Sequence, residues 1–142
     1  MTSPRTLDAI PGARSQILQR LADAAKASGR PADAVRLVAV SKKQPDDRIE
    51  AMLAAGQRCF GENRVQEGQA RWSERRAVIP DLELRLVGPL QTNKVDAAAA
   101  LFDVIETLDR DKLARALAKA MDRTGRRPRL YVQIGRASCR ER

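Results

Sequence analysis

Histidine is absent from this 142-residue chain, so its chemistry must rest on lysine, carboxylates, amides and hydroxyls. Ser–His and Cys–His catalysis and most zinc sites are thereby excluded. The two cysteines, Cys59 and Cys139, lie far apart and fit no metal-ligand spacing. Lysine is the residue to follow, because a deprotonated ε-amine attacks an aldehyde to form an imine. Lys42 and Lys43 end an unbroken apolar run, Leu37-Val38-Ala39-Val40. Side chains alternate along a strand, so Lys42 follows Val38 and Val40, while Lys43 follows Ala39 and Ser41. Only one of the two can share the strand's interior face. At the mouth of an apolar barrel Lys42 is the candidate imine-forming amine; the alternative is that both lysines end a strand in solvent.

In parallel α/β folds, functional residues collect where strands end at their C-terminal side. That rule selects four junctions: Ser41-Lys42, Gly61-Glu62-Asn63, Gly88 to Lys94, and Glu106-Thr107. None contains a phosphate cradle of the GxGxxG or GxxxxGK type. Asn63 can cap a helix or face a ligand. Glu62 can pair with Lys42 or with a nearby arginine. Gln91, Asn93 and Lys94 can bind a polar ligand or cap a helix. Trp72 and Met121 read as packing residues.

The elements that would position these residues alternate. Ile17, Leu18, Leu21, Ala24 and Ala25 fall at helical spacing between Thr6 and Ser28, with Gly29-Arg30-Pro31 as the stop. Leu37 to Val40 reads as a strand buried on both faces. Pro45-Asp46-Asp47 opens a helix that Gly56 ends. Arg58-Cys59-Phe60 is a short strand, and Asn63 with Gln66 forms a capping box for a helix to Arg76. Leu84 to Val87 is the next strand, then a short helix capped by Thr92 or Asn93 and running to Ala100. Phe102 to Ile105 is a strand. Asp109 caps a helix with the stripe Leu113, Ala116, Leu117, Ala120 and Met121, ended by Gly125. Arg129 to Gln133 is the fifth strand. Such alternation predicts a parallel α/β sheet, open or barrelled, behind an N-terminal covering helix.

The length fits one domain, and 43% hydrophobic content suffices for a core. The net charge of +9 is scattered rather than clustered, and with 3% aromatic residues the chain lacks a stacking platform for single strands. A solvated basic surface is preferred to a nucleic-acid-binding module. No signal peptide is visible, and no apolar run approaches the ~18 residues of a membrane span. The expectation is a cytoplasmic protein with no membrane or nucleic-acid partner.

Three stretches carry a resemblance: LVAVSKKQP at 37–45, AGQRCFGENRVQEG at 55–68 and LVGPLQTNK at 86–94, with Ile105 to Asp109 as a looser fourth. In this order and spacing they resemble the pyridoxal phosphate homeostasis proteins, single-domain relatives of the alanine racemase N-terminal barrel. The resemblance covers about residues 6 to 133. It implies a (β/α)8 (TIM-type) barrel, present here as a partial barrel of about five parallel strands. It implies that Lys42 holds pyridoxal 5′-phosphate (PLP) as an internal aldimine, with Asn63, Glu62, Gln91 and Asn93 at the cofactor's rim. It further implies a role in intracellular PLP homeostasis, with apo-enzymes as recipients of the cofactor. Racemisation would need a second base on the cofactor's opposite face, and none is marked. A non-catalytic binding protein is therefore preferred to a fragment of a PLP-dependent racemase or decarboxylase.

Residues 1–133 are expected to form the N-terminal part of that barrel. Residues 134–142 have no helical or strand period and read like a common sequencing-library adapter translated in frame, so a non-native tail is expected there. In such barrels phosphate is commonly held near the loops after strands 7 and 8. The isolated chain is accordingly expected to fold poorly or only as an oligomer, and to bind PLP weakly.

Overall fold

The computed structural model describes residues 4–134, in five helices and five strands that alternate after the first helix. The sheet order is β1-β2-β3-β4-β5, so every strand lies beside the one preceding it in the chain. This is the α/β order expected of a partial (β/α)8 barrel. The described residues divide into two compact units, parted between Cys59 and Phe60.

The first unit holds α1 (Pro4–Ala27), β1 (Ala39–Val40) and α2 (Asp46–Ala54). The inward face of α1 is Arg14, Leu18, Leu21, Ala22 and Ala25; Ile17 and Ala24, expected in the stripe, are exposed. Both helices end on glycine. At Gly29 and Gly56 φ is +73° and +86°, left-handed values that cost glycine little. They let the next N–H reach back: Arg30 N–H to Ala25 C=O at 2.9 Å, and Gln57 N–H to Met52 C=O at 3.0 Å. Arg14 then donates to the carbonyls of Ala55 (2.8 Å) and Gly56 (3.1 Å), placing a cation at the negative end of α2. The Gln57 amide, itself buried, donates to Leu37 C=O at 2.9 Å and to Cys59 C=O at 2.8 Å.

The expected doubly buried strand at 37–40 is corrected. Only Ala39–Val40 is strand, and Val40 is 48% exposed. β1 is first in the sheet order, so one of its sides has no strand neighbour among the described residues.

The second unit takes in most of β2 (Cys59–Glu62), which straddles the division. It continues with α3 (Val65–Val78), β3 (Glu83–Leu86), a 3-10 turn (Thr92–Lys94), α4 (Val95–Leu101), β4 (Val104–Leu108), α5 (Asp111–Thr124) and β5 (Arg129–Val132). β3 pairs in parallel with β4, and β4 with β5: Arg85 lies opposite Val104, and Val104 opposite Arg129. Leu84, Leu86 and Ile105 are fully buried, as are Leu113, Leu117 and Ala120 on the apolar stripe of α5. A Cβ on Gly68 would stand 2.9 Å from Phe102 Cζ, so glycine permits the close approach there.

The face of β3 opposite Leu84 and Leu86 is ionic. Arg85 is held by Glu83 at 2.7 Å and Glu106 at 2.9 Å, and lies 5.8 Å from the Tyr131 ring centroid. A further clasp is Asp103, which accepts from both terminal nitrogens of Arg76, from Leu84 N–H at 2.9 Å and from Arg126 at 3.3 Å. Burial raises its pKa, but the hydrogen bonds from Arg76 and Leu84 and the charges of Arg76 and Arg126 outweigh that effect. The carboxyl is held below its ordinary 3.8.

Three helix starts differ from expectation. The N-caps of α3, the 3-10 turn and α5 are Arg64, Gln91 and Arg110, none with a side-chain cap bond, in place of Asn63, Thr92 or Asn93, and Asp109. Asp109 is instead paired with Arg110 at 2.6 Å.

Candidate functional site

Lys42 sits one residue beyond Ser41, just past the end of β1. Gln44 N–H donates to Ser41 C=O at 3.1 Å, closing a turn around the two lysines. Lys43 occupies the turn's left-handed position, with φ +56°. Strand alternation therefore stops before it. Ser41, only 2% exposed, turns to the packed side, whereas both lysines are exposed. Lys42 has no ion-pair partner among the described residues.

The other four predicted residues lie in the second unit, on or beside the turns that follow β2 and β3. Three contacts lock these turns. Val87 N–H donates to Glu62 C=O at 2.9 Å. The Thr107 hydroxyl donates to Gly88 C=O at 2.8 Å. Gly88 abuts the Asn63 backbone so closely that an added Cβ would be 2.0 Å from the Asn63 oxygen. This contact fixes Asn63 ahead of the helix, so α3 begins two residues later, at Val65.

Glu62 is fully buried. Its Oε1 accepts from Arg71 at 3.0 Å and from the Trp72 indole at 2.9 Å, and the Trp72 ring packs on Phe60 at 4.6 Å. An arginine is thus its partner, as one branch of the sequence reading held. Trp72, expected as packing alone, also donates this hydrogen bond.

Asn63 and Gln91 are brought together. They line a cavity of about 570 Å3 with Arg64, Val65, Gln66, Pro89, Leu90 and Lys94. Asn93 is exposed on the 3-10 turn and does not line it. Pro89 and Leu90 fall inside the selected Gly88 to Lys94 junction, whereas sequence reasoning missed Arg64 and Val65 and read Gln66 only as half of a capping box. The only signal for Arg64 and Val65 was adjacency to Asn63, which becomes meaningful once both turns share a cavity.

No family model matches the chain. The pyridoxal phosphate homeostasis protein of Pasteurella multocida is 43% identical over 103 residues, 72% of this chain and 44% of the relative. That of Escherichia coli K12 is 38% identical over 104 residues. PipY of Synechococcus elongatus, solved with PLP bound, is 42% identical with a TM-score of 0.69, over 84% of this chain and 55% of PipY. Over the residues that match, the chain is similar to the pyridoxal phosphate homeostasis proteins. A crystal structure from Bifidobacterium adolescentis is 27% identical with a TM-score of 0.81, over 92% of this chain and 56% of that one. The chain spans about half the length of the family members it matches.

Proposed function

We propose that this protein binds pyridoxal 5′-phosphate through Lys42 and serves in intracellular homeostasis of that cofactor. The observation that carries the reading is the 42% identity to PipY, a structure holding PLP. The residues present fit such a group. Lys42 offers an exposed amine on a turn closed by the hydrogen bond from Gln44 N–H to Ser41 C=O. PLP supplies a reactive aldehyde, and a reversible bond to a lysine both stores it and lets it pass to another amine. The role of this chain is to hold and release the cofactor rather than to catalyse a reaction, with apo-enzymes as recipients in the cytoplasm. No helix among the described residues is long and apolar enough to cross a membrane.

The test is borohydride reduction of the chain incubated with PLP, followed by peptide mass spectrometry. A pyridoxyl group should appear on Lys42, and Lys42→Ala should lose both it and the visible absorbance of the bound cofactor. Equal retention of cofactor by the variant would remove Lys42 from the role.

A further inference from the structure

The cavity between the two rim turns has features that the binding of an aldehyde by Lys42 does not use. Its volume of about 570 Å3 lies within the usual range for small-molecule sites. Two cations, Arg64 and Lys94, and no carboxylate are among its lining residues. Arg64 meets Glu67 only at 3.4 Å, and its own side chain is 77% exposed, an arrangement that holds an arginine loosely. Lys94 is half-buried and has no ion-pair partner among the described residues. Asn63, Gln66 and Gln91 present amides there, and none of these side chains is hydrogen-bonded to protein among the described residues.

The walls are nevertheless rigid. The Asn63 side is held by the Gly88 contact, and the Leu90 side by Arg110, which donates to Leu90 C=O at 2.8 Å. A pocket that is fixed in shape, cationic and lined by uncommitted amides suits a small anion with further polar groups. Charge-assisted hydrogen bonds from lysine and arginine supply the affinity, and the amides supply orientation.

We infer that this cavity is a binding site for a small organic anion, carrying a phosphate or a carboxylate, held by Lys94 and Arg64. The site is formed wholly within the second unit. It goes beyond the cofactor role of Lys42 and can be tested without PLP.

Inorganic phosphate and pyruvate are the two probes, each titrated at constant ionic strength into the full chain with no PLP present. Binding is followed by calorimetry and by the fluorescence of Trp72, the chain's one tryptophan, whose indole is bonded to the residue preceding Asn63. Saturable binding of at least one probe is expected; which one binds identifies phosphate or carboxylate as the recognised group. Lys94→Gln should weaken it about tenfold, the effect of losing one hydrogen bond from a charged donor. Arg64→Gln should weaken it in the same direction. The melting temperature should not move in either variant, because both side chains reach solvent. No saturable binding of either probe to the folded chain, or binding that both variants retain unchanged, overturns the proposal. Neither result depends on whether Lys42 binds PLP.

Discussion

At the residue scale, two residues, Asp103 and Gly88, control far more than their own positions. Asp103 joins Arg76 of α3, the start of β3 and Arg126 beyond α5. Its folded pKa is below its unfolded value, so its stabilising effect is complete above about 3.8 and is lost as pH falls through the folded value. Asp103→Asn should cost about 1–3 kcal/mol at neutral pH, measured by urea unfolding. The gap between wild type and variant should narrow below pH 3.8; a gap independent of pH would contradict the assignment. Gly88→Ala should be worse, since backbone stands where the methyl group would go. A loss of about 3 kcal/mol or more, or a failure to fold, is expected in thermal melts. Strand alternation put Lys42 on the interior side with Val40, whereas both are exposed and Ser41 is the buried residue, because β1 ends at Val40 and the chain turns directly after it. Asn63 was misread as a cap because its chemistry suits one, and the approach of Gly88 from another strand is not written in the local sequence.

At the element scale, helices and strands were legible wherever apolar period and stop residues agreed. α5 is the best case: its stripe and its terminal glycine stand where expected. Leu117→Ala in that stripe should cost about 2–5 kcal/mol in urea unfolding. The depth of β1 was not legible, because burial depends on neighbours rather than on the strand's own residues. β5 ends the sheet order and leaves Tyr131, Val132 and Ile134 exposed. An edge of this kind recruits other strands. Val132→Lys should reduce self-association in sedimentation experiments while leaving the melting temperature unchanged, because Val132 is 69% exposed. Unaltered association would place the contact elsewhere.

At the scale of the whole molecule, the α/β class followed from the alternation of strand and helix patterns, and the family resemblance from three short blocks in order, each the end of a strand and the turn after it. The chain spans about half the length of its relatives, so under the proposed function we expect it to hold PLP less tightly than PipY, which was solved with PLP bound. Parallel titrations of the two, followed by cofactor absorbance, check this; equal affinity would show that the shared half carries the binding energy. The sheet order has one further consequence. Each strand's neighbour is the strand synthesised just before it. On the ribosome, β2 emerges when β1 is already outside, and so on through β5. The sheet can therefore grow in step with translation, each new strand docking on a finished edge instead of waiting for a distant partner.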